Sequence, residues 1–353
     1  MKGESAVSER QEPATIIAHR GASAYRPEHT LAAYDLAIEQ GADFIEPDLV
    51  LTRDGVLVAR HENELSLTTD VALHPEYGAR RTCKRIDGKY VEGWFTEDFL
   101  LAELKSLRTL EPFPRVRPQS TAFNNCFEIP TLEEILHLLI VDTDCNSQMT
   151  NHEPDSIILR CGLYPELKHP TFYAEMGFDM ARLLLDTLRV YGVVHERERI
   201  FIQCFEVDTL KQLRRSTDIP LVQLIDTKGS PYDSELSGGH TYREMMMPRG
   251  LAEIATYADA IGPAKEFVAP ALVGDADRSP ALLEEAHRLG LLVHAWTFRA
   301  EPWMGSVDGE MRIASQEHPF TDELRRYLLA GLDGLFTDNP DIAVRTRDAV
   351  VAE

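Results

Sequence analysis

Residues 15–61 decide the fold class, and they read TIIAHRGASAYRPEHTLAAYDLAIEQGADFIEPDLVLTRDGVLVARH. The stretch begins with a short β-branched run at 15–21, which predicts a buried strand. Apolar residues then recur at helical spacing over 31–38, and Gly41 is a residue type at which such a helix ends. A second apolar run follows at 44–52. A strand, a helix and a second strand in this order predict a parallel βαβ unit.

The same alternation continues to the end of the chain. After an Arg-Asp-Gly turn, residues 56–61 are predicted to form a hairpin arm against the second strand. Further strands are predicted at 157–168, 199–205, 220–226, 258–264, 291–298 and 334–340. Eight strands alternating with helices predict an α/β TIM (β/α)8 barrel, with residues 1–353 as a single domain. The alternative is a doubly wound open sheet, which is disfavoured because no Gly-x-Gly-x-x-Gly turn follows the first strand.

Two stretches do not fit the simple repeat. Residues 63–130 lie between the second and third barrel strands and are predicted to form an inserted subdomain, with one helix at 96–107. Residues 227–250 are predicted to form a second irregular loop. Both follow the carboxyl end of a strand, which is the active-site face of this kind of barrel. We therefore expect both to stand over the site.

The charge balance excludes some classes of function. The chain has 58 acidic and 36 basic residues, a formal net charge of −22. A duplex nucleic-acid binder needs a basic face, so nucleic acid is not an expected partner. An anionic substrate would need positive charge gathered locally, by a metal or by a few Arg and Lys residues. No run of 18 apolar residues occurs, so no integral membrane segment is expected.

Cysteine usage and the N-terminus give further expectations. The cysteines Cys83, Cys126, Cys145, Cys161 and Cys204 are odd in number and form no Cys-x-x-Cys pair, which predicts neither a disulfide framework nor a zinc site. The first 15 residues are polar and lack an apolar signal core. We expect a cytosolic protein, or an exported one whose signal peptide was removed. The oligomeric state is left open.

Three acidic residues are candidate metal ligands. Glu46 and Asp48 lie two residues apart in the second strand, so both carboxylates are expected on one face. Two acids that face a barrel interior need a cation or protons. Glu166 can supply a third oxygen from the next strand. Oxygen ligands favour Ca²⁺ or Mg²⁺. The alternative interpretations are solvated acids at an exposed edge and, for Glu166, a surface pair with Lys168.

Basic residues at the same end of the predicted barrel are candidates for phosphate chemistry. His19 and Arg20 end the first strand, and His61 ends the hairpin arm. Two histidines could serve as general acid and base, while Arg20 and Lys168 could bind phosphate oxygens. Each histidine alone is as consistent with a structural role. Gln203 and Trp296 are softer candidates, which could line the pocket or fill the barrel.

The chain resembles the glycerophosphodiester phosphodiesterases. The resemblance begins with the block from AHRGASAYRPEHT to VLVARHE and resumes at IPTLEEIL, GLYPELKHP, IQCFEVDTLKQL, HAWTFR and GLDGLFTDNPD. It covers nearly the whole chain, and GLYPELKHP resembles the longer, periplasmic-type branch of the family. The resemblance implies a TIM barrel with an inserted subdomain and a role in lipid and glycerol metabolism.

The resemblance also implies roles for particular residues. His19 and His61 match the catalytic histidines, Arg20 and Lys168 the phosphate-binding residues, and Glu46, Asp48 and Glu166 the metal ligands. Glu28 matches a motif acid near the site. Small departures occur next to these positions: His29 replaces a frequent Asn, Glu62 a frequent Asp, and IQCFE a frequent Gln-Ser-Phe-Asp pattern.

The expected reaction is metal-dependent hydrolysis of glycerophosphodiesters, such as glycerophosphocholine or glycerophosphoethanolamine, to glycerol 3-phosphate and an alcohol. One histidine would deprotonate the attacking group, water or the glycerol 2-hydroxyl, and the other would protonate the leaving alcohol. Two alternatives remain. One is a lipid phosphodiesterase resembling sphingomyelinase D, and the other is a non-catalytic barrel that only binds phosphodiesters.

Overall fold

The computed structural model describes residues 13–141, 158–269, 280–301, 304–307, 310–313 and 320–353. Cys145 and nearly all of the polar N-terminal stretch lie outside these ranges, as does residue 157 at the start of the predicted third strand. No helix within the described ranges is both long enough and apolar enough to cross a membrane.

The strands, in chain order, are β1 (Thr15–His19), β2 (Phe44–Glu46), β3 (Asp48–Leu51), β4 (Leu57–Ala59), β5 (Thr82–Ile86), β6 (Lys89–Gly93), β7 (Ile140–Val141), β8 (Ile158–Leu159), β9 (Gly162–Leu163), β10 (Glu166–Leu167), β11 (Ile202–Cys204), β12 (Leu221–Ile225), β13 (Ala260–Pro263), β14 (Leu292–Phe298), β15 (Met304–Val307), β16 (Glu310–Ile313) and β17 (Gly334–Thr337).

The α-helices are α1 (Leu31–Glu39), α2 (Leu101–Leu104), α3 (Leu132–Leu139), α4 (Pro170–Glu175), α5 (Met180–Val190), α6 (Val207–Arg214), α7 (Tyr232–Ser237), α8 (Tyr242–Met245), α9 (Pro248–Ile254), α10 (Pro280–Arg288), α11 (Phe320–Leu329) and α12 (Pro340–Val351). Short 3₁₀ helices lie at Val71–Leu73, Pro75–Arg80, Thr96–Asp98, Ser120–Phe123, Val193–His195, Arg197–Arg199 and Lys265–Phe267.

Parallel pairing runs around the large sheet. Its order is β4-β3-β10-β11-β12-β13-β14-β17-β1-β2-β9. Pro47 alone separates β2 from β3, and two residues separate β9 from β10. Because β2 pairs with β9 and β3 pairs with β10, these four short strands act as two bent strands side by side. The pairings therefore run through eight strand positions, and the predicted TIM-barrel-like α/β fold is confirmed.

Strand boundaries differ from the prediction at the third position. The predicted strand at 157–168 is divided, because β8 turns away to pair antiparallel with β7 while β9 and β10 enter the large sheet. The single apolar run therefore serves two sheets. The hairpin arm is confirmed, since β4 pairs antiparallel with β3.

Aromatic residues fill the inside of the sheet below the site. Tyr164 stacks on Phe201 with ring centroids 5.1 Å apart, and its hydroxyl lies 2.8 Å from His294 Nδ1. A larger cluster between sheet and helices buries Phe298 completely. These contacts give His294 and Phe298 packing roles. The interior of the barrel is filled with side chains.

Residues 63–130 contain the β5–β6 hairpin, 3₁₀ turns and the short helix α2. The helix predicted at 96–107 is wrong in length, because α-helical structure covers only Leu101–Leu104. Phe99 is extended, and its carbonyl accepts a hydrogen bond of 2.9 Å from the backbone N–H of Arg53. This bond to a neighbouring loop holds the chain out of a continuous helix.

The prediction that 227–250 forms an irregular loop is also corrected. The segment contains α7, α8 and the start of α9. Gly238 adopts a φ of 75° and ends α7, while Thr241 and Glu244 form a capping box that opens α8. Pro248 occupies the first turn of α9. Closely spaced start and stop residues explain why this sequence resembles a loop.

Candidate active site

Strand register brings the predicted acids together. His19 pairs with Glu46 across β1 and β2, and Asp48 pairs with Glu166 across β3 and β10. Glu46, Asp48 and Glu166 each offer a carboxylate oxygen, and these oxygens lie within 4.8 Å of one another. All three side chains are buried. The alternative of solvated acids at an exposed edge is therefore wrong.

Burial and neighbouring charges shift the pKa values of the three acids strongly. Burial, followed by the charges of Asp48 and Glu166, raises the pKa of Glu46 well above its ordinary value. Burial also raises the pKa of Glu166 to about 8, although Lys168 opposes the shift. Burial disfavours ionised Asp48 as well, but Lys168 and His29 hold its pKa well below the usual range. Such a cluster is stabilised by added positive charge.

Two basic side chains adjoin the acids. Lys168 Nζ lies 2.9 Å from Glu166 Oε1, and Arg20 Nε lies 3.5 Å from Asp48 Oδ2. The Arg20 guanidinium also donates a hydrogen bond of 3.0 Å from Nη1 to Glu28 Oε2. Burial opposes both charges, yet the neighbouring carboxylates keep the pKa values of Arg20 and Lys168 above normal. The positively charged side chains of Arg20 and Lys168 are therefore held beside the acid cluster.

The donor set fits a hard divalent cation. Within the acid cluster, the buried oxygens Asp48 Oδ1 and Gln203 Oε1 have no hydrogen-bond partner among the described residues. The Gln203 amide nitrogen donates to Glu46 Oε1 at 3.0 Å, so that residue belongs to the same cluster. Carboxylate and amide oxygens suit Ca²⁺ or Mg²⁺ better than zinc. The acidic cluster could thus hold a metal.

His19 is held by a buried carboxylate. Its Nδ1 lies 2.6 Å from Asp338 Oδ1, and Asp338 also accepts from Arg117 and, at 2.6 Å, from Arg299. Burial and the charge of Arg20 lower the pKa of His19 to about 4, against the opposing effect of Asp338. The ring is neutral at pH 7. With Nδ1 engaged, Nε2 is the nitrogen that remains for proton transfer.

His61 has a similar but more open environment. Its Nδ1 lies 2.8 Å from Glu62 Oε1, and the side chains of His61 and Glu62 are 33% and 55% exposed. Partial desolvation of the ring, together with the charges of Arg20 and Lys168, lowers the pKa of His61 to about 4. This histidine is also neutral at pH 7, with a carboxylate on its Nδ1 side.

One cavity of about 950 Å³ joins almost all of the predicted residues. Its lining includes His19, Arg20, Glu46, Asp48, His61, Glu166, Lys168, Gln203 and Trp296. Trp296 donates from Nε1 to the Gly262 carbonyl at 2.7 Å, so the ring is anchored at the cavity wall. Glu28 does not line this cavity and instead lies behind Arg20. Residues from 85–89 and 228–236 form another wall of the cavity.

Comparison with known proteins identifies the family. The model of the "Glycerophosphoryl diester phosphodiesterase family" matches residues 19–342. The chain belongs to this family.

A curated glycerophosphodiester phosphodiesterase from Haemophilus influenzae is 32% identical over 352 residues, which cover 93% of this chain and 88% of the relative. The protein is accordingly an enzyme, a glycerophosphodiester phosphodiesterase. The predicted resemblance is confirmed.

Solved structures agree on the fold. A Silicibacter pomeroyi protein, to which a glycerophosphoryl diester phosphodiesterase activity has been attributed, has a TM-score of 0.65 at 22% identity and covers 97% of this chain and 96% of its own. An Oleispira antarctica phosphodiesterase, solved with the product sn-glycerol-3-phosphate, has a TM-score of 0.53 at 18% identity, with coverages of 95% and 97%. At these identities the likeness concerns the barrel itself.

Three residues that contact the site residues were not predicted from the sequence: Asp338, His29 and Arg117. Asp338 directly follows β17, and its position at the carboxyl end of a barrel strand is the signal that could have revealed it. His29 appeared only as a departure from the family, yet its Nε2 lies 2.8 Å from Asp48 Oδ2. Arg117 lies within 63–130 and carries no pattern that predicts its contact with Asp338.

Proposed function

We propose that this enzyme hydrolyses glycerophosphodiesters, such as glycerophosphocholine and glycerophosphoethanolamine, to glycerol 3-phosphate and an alcohol, with Ca²⁺ or Mg²⁺. One observation carries the proposal: a single cavity is lined by the acid cluster, both basic side chains and both histidines. The product held by the Oleispira antarctica structure supports glycerol 3-phosphate as the product here.

In this proposal Glu46, Asp48 and Glu166 hold the cation, with Gln203 beside them. A divalent cation bound there would polarise the phosphodiester and offset the charge that develops on its oxygens. The three carboxylates bring excess negative charge into a buried cluster, and that excess supports a cation as their partner. Arg20 and Lys168 would bind non-bridging phosphate oxygens and stabilise the transition state.

The histidines are proposed as the acid–base pair. Neutral His19 and His61 both have Nδ1 engaged by a carboxylate, so each can exchange a proton through Nε2. One ring would remove the proton of the attacking hydroxyl, either water or the glycerol 2-hydroxyl. The other ring, which must first take up a proton on Nε2 from solvent, would deliver that proton to the departing alkoxide. The carboxylate partners stabilise whichever ring becomes positive.

The leaving alcohol is proposed to lie against the wall formed by 85–89 and 228–236. These segments belong to the stretches at 63–130 and 227–250, and both line the cavity. We propose 63–130 as an inserted subdomain of one domain that extends over residues 1–353. The wall carries Arg85, Lys89, Lys228 and Glu235, which suits small polar alcohols rather than acyl chains.

Enzymatic release of glycerol 3-phosphate from glycerophosphocholine tests the proposal. The assay uses the full chain with added Ca²⁺ or Mg²⁺, and phosphatidylcholine and sphingomyelin are compared in parallel. We expect glycerol 3-phosphate from the soluble diester and little turnover of the lipids. Preferred cleavage of a lipid would favour a sphingomyelinase-D-like activity. Substrate binding without turnover of any diester would favour a barrel that only binds.

A further inference from the structure

A second histidine, His169, lies on the other side of Glu62 from His61. Glu62 uses Oε1 for His61 Nδ1 at 2.8 Å, while its Oε2 lies 3.9 Å from Nε2 of His169. That distance is within ion-pair range but longer than a hydrogen bond. Nε2 of His169 is buried and has no hydrogen-bond partner among the described residues. The Glu62 carboxylate thus lies between two imidazole rings.

The other side of His169 is fixed by the β5–β6 hairpin. His169 Nδ1 lies 2.6 Å from Oδ2 of Asp87, the residue directly after β5. Both residues adopt left-handed backbone conformations, with φ of 52° for His169 and 44° for Asp87. Such conformations are uncommon for residues other than glycine and persist where the surroundings enforce them. The hairpin tip and the start of α4 therefore meet through a defined side-chain contact.

We propose that His169, anchored by Asp87, is a positioning residue for the acid–base function of His61. His169 restricts the Glu62 carboxylate, and Glu62 in turn restricts the ring of His61. The acid–base function of His61 thereby depends on the docking of the 82–93 hairpin. This inference rests on the proposed function, because it assigns His169 a role in the reaction of that same site.

A comparison with His19 explains why His61 needs this support. Asp338, the partner of His19, is 2% exposed and is bound by two arginines. Glu62 is 55% exposed, so water competes for its oxygens and its side chain has rotamer freedom to lose. An exposed pair gains little from its own attraction. An imidazole locked at 14% exposure supplies the missing constraint on Glu62.

The test is a double-mutant cycle with His169→Asn and Glu62→Gln. Asparagine tolerates the left-handed conformation and can still donate to Asp87, but it is too short to reach Glu62. His169→Asn should lower kcat for glycerophosphocholine about tenfold, with little change in KM. In the Glu62→Gln background the same substitution should change kcat by less than about twofold, because the Glu62 carboxylate through which His169 acts is already absent. His137→Ala, on the exposed face of α3, is the control.

Three measurements can overturn the proposal. Equal kcat losses in both backgrounds would mean that His169 does not act through Glu62. A change confined to KM would mean that His169 contacts substrate directly. The ¹⁵N shifts of the His61 ring, followed by NMR without substrate, should change in His169→Asn and not in His137→Ala. This last readout needs no activity, so unchanged shifts would sink the positioning role whatever reaction the wild-type enzyme performs.

Discussion

The two sides of the active-site cavity differ in burial and pairing. On the strand side, Glu46, Asp48, Glu166 and Lys168 are each less than 10% exposed, and every one has a charged or hydrogen-bonded partner. On the wall formed by 85–89 and 228–236, the exposed residues are Arg85, Lys89, Lys228, Glu235 and Leu236. Buried side chains with bonding partners are held in one geometry, whereas exposed side chains can change rotamer. This difference supports the proposal that the strand side binds the glycerol phosphate half and that the wall binds the alcohol that varies.

The largest expected effect comes from the acid cluster. Glu46→Gln, Asp48→Asn and Glu166→Gln each remove a charge proposed to hold the cation, and each should lower kcat/KM by about 10³-fold or more. Glu235→Gln makes the same chemical change on the exposed wall and should cost less than about threefold. Steady-state kinetics of glycerophosphocholine hydrolysis measure both. Similar losses at Glu235 and at the cluster would erase the difference between the two sides.

Loss of either histidine should have the next largest effect. His19→Ala and His61→Ala should each lower kcat by about 10²- to 10⁴-fold, because each removes one of the two proposed proton transfers. Substrate binding should survive better, since the proposed phosphate contacts of Arg20 and Lys168 remain. Binding isotherms beside kcat values make the separation. A variant with near-wild-type kcat would show that its histidine is structural.

The carboxylates behind the histidines sharpen the comparison further. Asp338→Asn should cost about 10²-fold in kcat, because an amide can hold the wrong tautomer of His19. Glu62→Gln should cost about tenfold, because Glu62 is half-exposed and water can replace part of its role. Asp338→Asn also leaves Arg117 and Arg299 without their shared partner, so thermal unfolding should be recorded for both variants. A larger loss for Glu62→Gln would contradict this ranking.

The sequence predicted much of this site because its residues obey local rules. Two-residue spacing placed Glu46 and Asp48 on one face, and strand ends placed His19 and Glu166 near them. Asp338 could have been found by the same strand-end rule, but its partner His19 lies 319 positions away and no local pattern links them.

Other features depend on tertiary contacts that no periodicity reports. Arg117 reaches Asp338 from the 63–130 segment, and the 96–107 helix is interrupted by the bond from Arg53 to Phe99. The 227–250 stretch differs from the predicted loop for a different reason. Its caps and prolines are typical of loops, although here they divide short helices.

Substrate choice tests the wall with smaller effects. Values of kcat/KM for the choline, ethanolamine and glycerol diesters should agree within about tenfold, because one extra group in a pocket discriminates weakly. Intact phosphatidylcholine should be a poor substrate, because the exposed wall offers no deep apolar slot for acyl chains. Equal values for phosphatidylcholine and glycerophosphocholine would contradict this prediction.

The smallest expected effect is a pH dependence of stability from below the site. Burial lowers the pKa of His294 to about 4, with Asp333 opposing the shift. Well above pH 6.5 neither state binds this proton, so His294 adds no pH dependence there. As the pH falls from 6.5 towards 4, only the unfolded chain binds it, and stability declines. Urea midpoints should fall less steeply over this range in His294→Gln, and parallel slopes would refute the assignment.

The measurement that most directly tests the proposed metal-dependent reaction is glycerol 3-phosphate release after removal of divalent cations. The enzyme is dialysed against EDTA, assayed with glycerophosphocholine, and assayed again after excess Ca²⁺ or Mg²⁺ is added. We expect activity to disappear on chelation and to return with one of these cations, while Glu46→Gln does not recover. Full turnover in excess EDTA would contradict the proposed role of Glu46, Asp48 and Glu166.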